Sequence, residues 1–317
     1  MDYPEPLVVP PFLPPHQQTF IILHGRGSSG DAFGPPLLDT PLTPKRSSSP
    51  SSKLSAELTS TQSLVTAFPH ARFVFPSAPR RRAALYKRTL TYQWFDNWDL
   101  EPPAIVREEL QNPGLRETTL FLHQLLQTEI ELVPGGAKHV VLGGLSQGSA
   151  ASLVALLLWE GDPLGAFVGM SGWLPYAYRM NGLIQTKNEK DEDVFDPFQR
   201  NEGEGAESCD EVQSPERPID EAVAWLREQI ELGGDGSIGQ NDIESDVTPV
   251  FLGHGLLDDK VNVDLGRMAR DTLSKLELSV TWKEYKNLGH WYSNDVLRDL
   301  TSYLNSLSQK FNRNEDI

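Results

Sequence analysis

Short runs of apolar, β-branched and aromatic residues alternate along this chain with longer stretches whose apolar positions recur at helical spacing. Thr19–Leu23, Arg72–Phe75, His139–Leu142, Ala166–Met170, Val250–Leu252 and Ser279–Tyr285 read as strands, most of them continuously apolar and so buried on both faces. Between them, helical patterns are predicted over about Arg116–Leu132, Gln147–Trp159, Val263–Leu276 and Asn294–Leu307. In the first of these, Leu120, Leu122, Leu125, Leu126 and Ile130 form the apolar face, and Pro134-Gly135-Gly136 ends it. Strand and helix in regular alternation predict an α/β fold, with a mostly parallel central sheet and helices on both faces.

Three segments break the rhythm. Residues 1–18 form a Pro-rich leader, Pro41–Lys53 is Ser/Pro-rich and reads as a surface insertion, and about 178–246 is acidic and polar. That last insertion is expected to lack a face that can be buried, apart from an amphipathic helix over Asp220–Leu232 docking through Trp225 and Leu226. One domain is therefore expected over 19–317, with insertions at about 41–53 and 178–246.

Composition narrows the function. With 44 acidic against 28 basic residues the net charge is −16, which argues against nucleic-acid binding, because gripping phosphates needs a cationic surface. The leader has no basic start and no continuous apolar core, and no stretch reaches the roughly 20 apolar residues of a membrane helix. A cytoplasmic protein without membrane insertion is the expectation. The single cysteine, Cys209, can form neither an internal disulfide nor a Cys-based zinc site, and its acidic neighbours disfavour a reactive thiolate. No metal or cofactor is called for.

The chemistry is carried by Gly144-Leu145-Ser146-Gln147-Gly148, a G-x-S-x-G sequence with a buried strand running in and an apolar helix running out. A serine at such a turn is exposed above the carboxyl ends of the strands, and glycines are needed where backbones approach closely. Serine needs a base, and histidine is the usual one near neutral pH. Of seven histidines, His24, His254 and His290 follow strands. His290 lies on the loop after the last strand, where the base of a Ser…Asp…His order belongs, and His24 and His254 are expected to shape their loops through hydrogen bonds. After Val250–Leu252, Asp258 and Asp259 are equally placed to orient that base. The oxyanion of an acyl-transfer intermediate would be held by backbone amides, those of Gln147 and of Arg26 in His24-Gly25-Arg26-Gly27. That Gly-rich loop lacks the lysine and spacing of a phosphate-binding motif.

Several segments in order resemble the acyl-protein thioesterase and small carboxylesterase family of α/β-hydrolases: Leu23–Gly27, Phe75–Pro79, Trp94-Phe95-Asp96, Leu142–Gly148, Ser171–Pro175, His254–Val261 and Gly289-His290. The resemblance spans about 19–307 outside the insertions. It implies hydrolysis of carboxylic esters or thioesters without a cofactor, on a small-molecule ester or an acylated protein. It selects Asp258 over Asp259, through an H-G-x-x-D-x-x-V pattern on His254, Gly255, Asp258 and Val261. It also implies that Trp94 and Trp173 wall the site. Two departures stand out: the family often has an apolar residue where Arg26 stands and an acidic residue near the position of Ser28. The 178–246 insertion, entering after Pro175, is expected to act as a lid or to restrict large substrates. A non-catalytic binder on the same fold would have lost a triad member, and none is lost here; a peptidase or a dienelactone-type hydrolase would share the fold, the latter with cysteine at position 146.

Overall fold

The computed structural model describes residues 2–42, 62–192, 218–233 and 247–314. The elements in chain order are β1 (Leu7–Val9), β2 (Gln18–Leu23), α1 (Gly30–Asp39), α2 (Leu64–Ala67), β3 (Ala71–Phe75), β4 (Arg80–Ala83) and β5 (Thr89–Tyr92). They continue with α3 (Asn112–Leu132), β6 (Val140–Leu145), α4 (Gln147–Leu157), β7 (Ala166–Met170), α5 (Ala177–Glu192) and α6 (Pro218–Gln229). The chain closes with β8 (Val250–Gly255), α7 (Val263–Lys275), β9 (Val280–Tyr285) and α8 (Asn294–Asn314).

Seven strands form one sheet in the order β1-β3-β2-β6-β7-β8-β9. Only β1 runs antiparallel to its neighbour; β2 through β9 within this sheet pair in parallel. Alternation along the strands divides the core into two layers. Ile21, Leu23, Val140, Leu142, Phe167, Val250 and Leu252 face α3, α4 and α7, whereas Phe20, Ile22, Phe73, Phe75, Val141, Val168 and Phe251 face α1, α2 and α8. Strands buried on both sides explain why β2, β6, β7 and β8 read as unbroken apolar runs. The helix β6 feeds, α4, has no polar face: every residue from Gln147 to Leu156 is buried. It is the central helix of its layer, and this is what fixes the start of α4 against the sheet.

The structure corrects the sequence reading in four places. Within the leader, Leu7–Val9 pairs with Phe73–Phe75, and the Tyr3 ring stacks on Phe121 with centroids 3.9 Å apart. Three apolar residues between prolines are too few for a strand signal, but such a segment suits a sheet edge, where proline is tolerated. The sequence reading holds no hairpin at β4–β5, whose strands expose most of their side chains and carry one fully buried residue, Ala83. Helix α3 starts a turn early, with Pro113 in its first turn, and its buried stripe runs through Leu115, Leu122 and Leu126 while Leu120 is exposed. Finally, the insertion opens with a packed helix, α5, whose Met180 and Ile184 are buried.

Helix α6 lies where the sequence placed a helix, with Leu226 fully buried and the Trp225 ring edge-on to Tyr176 at 5.6 Å. It is tied to the end of α4 by Arg227, which pairs with Glu160 at 2.6 Å. Asn181 of α5 donates to Thr272 of α7 at 2.7 Å. Cys209, the rest of the 178–246 insertion and the Ser/Pro-rich stretch from residue 43 lie outside the described residues.

Candidate active site

Strand β6 turns into α4 at Ser146, whose backbone sits at φ 57°, ψ −123°. A serine with positive φ is strained, and strain of this kind persists only where the surroundings enforce it. Here the enforcement is visible. A Cβ on Gly144 would lie 2.6 Å from the carbonyl carbon of Gly148, and one on Gly148 would lie 2.5 Å from the His24 carbonyl oxygen. The Ser146 amide also donates to the Met170 carbonyl at 2.8 Å, holding the turn onto β7. The first turn of α4 therefore presses on the end of β2, and the serine side chain is pushed up at the carboxyl edge of the sheet.

The loops after β8 and β9 bring the other two groups together. They are zipped by backbone bonds, Leu256 N–H to Tyr285 O and Leu257 N–H to Leu288 O, both 2.9 Å. Across this seam His290 Nδ1 meets Asp258 Oδ2 at 2.8 Å and Oδ1 at 3.0 Å, while His290 Nε2 lies 2.9 Å from Ser146 Oγ. Because a carboxylate can only accept, Nδ1 carries the proton and Nε2 is left to face the serine.

The Asp258 carboxylate is completely buried. Burial pushes its pKa up, but hydrogen bonds from His254, His290 and the Val261 amide outweigh that, and the group is held well below the usual carboxylate range. Its Oδ1 also accepts from the amides of Lys260 and Val261, each at 2.9 Å. Asp259 points away and pairs at the exposed surface with Lys260 at 3.1 Å.

His254 and His24 brace the loops. His254 Nε2 lies 2.9 Å from the Val261 carbonyl and 3.3 Å from Asp258 Oδ2, so it is the protonated nitrogen of that ring. His24 donates from Nδ1 to the Gly25 carbonyl at 2.7 Å and accepts the Ala78 amide at Nε2 at 3.0 Å. Burial lowers its pKa to about 4, so the ring is neutral near neutral pH. The remaining histidines are bonded elsewhere: His123 to the Ala155 carbonyl, His139 to Gln17, His70 to Leu13 and His16 to Thr19.

Gly25 packs directly on the serine: a Cβ there would be 3.3 Å from Ser146 Cβ. The next residue, Arg26, and Gln147 at the start of α4 both line the space above Ser146, and neither backbone amide has an acceptor among the described residues. The Gln147 side chain turns inward instead. It accepts from the Trp94 amide at 3.0 Å and donates to the Phe95 carbonyl at 2.8 Å and to Asn97 Oδ1 at 3.2 Å.

The cavity over Ser146 measures about 390 Å³. Trp173 stands in its wall, as the resemblance implied, but Trp94 does not. Trp94 is fully buried beneath the site, its indole N–H donating to the His24 carbonyl at 2.8 Å. The ring belongs to the core and not to the cavity wall. Sequence reasoning missed Leu85, Tyr86 and Thr91 of the hairpin, together with Trp98, Leu100 and Trp291. Trp291 had a signal in its adjacency to His290; the hairpin had none. Neither α5 nor the described part of α6 contributes to this wall. Among the described residues, no three His, Cys, Asp or Glu side chains converge as a metal centre requires, and no helix is long and apolar enough to cross a membrane.

The family model described as phospholipase/carboxylesterase matches residues 53–192 and 236–308. The chain is 25% identical over 304 residues to an acyl-protein thioesterase 1 of Yarrowia lipolytica, covering 95% of this chain and 96% of that protein. It is also 25% identical to the carboxylesterase SOBER1 of Arabidopsis thaliana, covering 90% of each. Among solved structures, that of Zea mays acyl-protein thioesterase 2 superposes with a TM-score of 0.59 at 23% identity, over 96% of this chain and 99% of that one.

Proposed function

Since this chain belongs to the phospholipase/carboxylesterase family of α/β-hydrolases, we propose that it hydrolyses carboxylic esters or thioesters through an acyl-enzyme formed on Ser146. The observation that carries the reading is the continuous hydrogen-bonded line from Asp258 through His290 to Ser146 Oγ, at 2.8 and 2.9 Å. In the first half-reaction His290 Nε2 takes the hydroxyl proton as Oγ attacks the carbonyl carbon. The carbonyl electron pair moves onto oxygen, where the Arg26 and Gln147 amides can receive it. An oxyanion donor of this sort is worth about 10²–10³ in rate. The tetrahedral intermediate then collapses, the C–O or C–S bond breaks, and the alcohol or thiol leaves with the proton from His290. In the second half-reaction water repeats the sequence, the acid is released and the serine recovers its proton. Asp258, held ionised, fixes the imidazole tautomer and stabilises the imidazolium at each stage.

Relatives named as thioesterases and as carboxylesterases support both leaving groups, so a small ester and an acylated protein are both candidate substrates. Hydrolysis of short 4-nitrophenyl esters and labelling by a fluorophosphonate probe provide the test. Both are expected for the native chain and absent for Ser146→Ala. If Ser146→Ala keeps native turnover, another group is the nucleophile. If the native chain does neither, it is a non-catalytic binder on a hydrolase fold.

A further inference from the structure

The charge inside the cavity is opposite to that of the whole molecule. The chain carries a net charge of −16, yet among the residues lining the space over Ser146 are the cations Arg26 and Lys260 and no aspartate or glutamate. Lys260 is largely exposed and already paired with Asp259. Arg26 is different. Its Nη2 donates to Asn97 Oδ1, its guanidinium carbon lies 5.6 Å from the centre of the Tyr86 ring, and its Nε is enclosed without any acceptor. Among the described residues no carboxylate lies within ion-pair distance of it: Asp258 is sequestered by His254 and His290, and Asp96, whose charge favours the guanidinium from further off, has its carboxylate on the Ala84 amide.

A cation largely withdrawn from water with no directly paired counter-charge is costly, and a buried donor without an acceptor adds to that cost. Structural tethers to Asn97 and to the Tyr86 hydroxyl leave donors of the guanidinium's five unused, and a neutral amide could make such tethers. The arginine is also well placed to act on substrate. Asn97 Oδ1 accepts from both Arg26 and the side chain of Gln147, so the guanidinium sits one side chain away from the residue that follows Ser146.

We propose that Arg26 is a specificity residue and that the site takes esters carrying a carboxylate close to the scissile bond. This rests on Ser146 being the nucleophile. A carboxylate near the reacting carbonyl would repel the oxyanion as it forms; the Arg26 charge offsets that repulsion and makes the acidic ester the preferred substrate instead of a disfavoured one. Charge-assisted hydrogen bonds of this kind correspond to about 10- to 100-fold in kcat/KM.

The experiment compares two matched pairs. One carries the charge on the acyl side, mono-4-nitrophenyl adipate against its neutral methyl diester; the other carries it on the leaving group, 3-carboxy-4-nitrophenyl butyrate against 4-nitrophenyl butyrate. In at least one pair the native chain should favour the acid by about tenfold or more, and the pair that responds locates the carboxylate. Arg26→Met should erase that preference and Arg26→Lys should retain part of it. The ratio within each pair is the readout, so a general loss of activity from disturbing the oxyanion loop cancels. Equal or better turnover of the neutral twin in both pairs overturns the inference while leaving the hydrolase reading intact. So does a preference that survives Arg26→Met. Failure of the native chain to hydrolyse any of the four esters removes the hydrolase reading, and this inference with it.

Discussion

Replacing Asp258 by asparagine changes one atom, and the surroundings dictate where that change falls. Oδ1 accepts two backbone amides, from Lys260 and Val261, so the asparagine oxygen must occupy that position. The new NH₂ then stands at the Oδ2 position, 2.8 Å from His290 Nδ1 and 3.3 Å from His254 Nε2. Two donors facing each other force His290 to give up its Nδ1 proton and carry it on Nε2, where it points at Ser146 Oγ. The imidazole can then no longer take the serine proton, and its charged form loses its counter-ion. The wrong tautomer in this arrangement costs about 10⁴ in kcat, or about 5 kcal/mol. His254 Nε2–H keeps its Val261 acceptor, so the fold should survive. The assay is initial-rate hydrolysis of 4-nitrophenyl butyrate, with circular dichroism to verify folding. Asp259→Asn serves as the control, because an exposed pair with Lys260 contributes little, and activity within about twofold of native is expected. A folded Asp258→Asn chain retaining more than a tenth of native kcat would refute the tautomer argument and the role given to Asp258.

Two further predictions concern stability. A Cβ at position 148 would meet the carbonyl oxygens of His24 and Leu23 at 2.5 and 2.6 Å; both are backbone, so Gly148→Ala should destabilise by about 3 kcal/mol or more, read as a lowered midpoint in urea. His24 binds its proton at about pH 4 when folded and near 6.5 when unfolded, so between these values the unfolded chain holds more protons; its contribution is complete above pH 6.5 and about 3 kcal/mol is lost as pH falls to 4. Thermal unfolding from pH 7 to 4.5 should show this decline, and a profile that is no flatter in His24→Gln would assign the protons elsewhere.

What the sequence disclosed and what it hid divide along physical lines. The strands β2, β6, β7 and β8 were legible because both of their faces are buried, which leaves continuous apolar runs. The turn at Ser146 was legible because close backbone approach admits only glycine at 144 and 148, and that spacing is visible in one dimension. The hairpin was hidden because Arg80–Ala83 and Thr89–Tyr92 pair through backbone and expose most side chains, and the inward positions of β4 are filled by Arg81 and Ala83, which leave no apolar run to read. Helix α5 carried its signal at Ala177, Met180 and Ile184, but the polar residues between them masked it. Trp94 was a different kind of failure. A motif gives a residue's neighbourhood and not the direction of its side chain, and here the ring is drawn inward by the His24 carbonyl.

The choice between Asp258 and Asp259 shows why a short pattern can carry more than its individual residues. Periodicity could not separate two adjacent carboxylates on a loop. The loop itself does so through a closed circuit of bonds. Asp258 Oδ1 accepts the Val261 amide, the Val261 carbonyl accepts His254 Nε2–H, and that same nitrogen lies 3.3 Å from Asp258 Oδ2. Each member fixes the next, and only a carboxylate three residues before Val261 and four after His254 completes the ring. Asp259 is one residue out of register and falls to solvent. The His254, Asp258 and Val261 spacing therefore encodes a backbone geometry whose purpose is to leave one carboxylate buried, ionised and aimed across the seam at His290. By the same reasoning the side chains at Leu256 and Leu257, whose backbone amides make the zip to Tyr285 and Leu288, are free to vary without moving the acid.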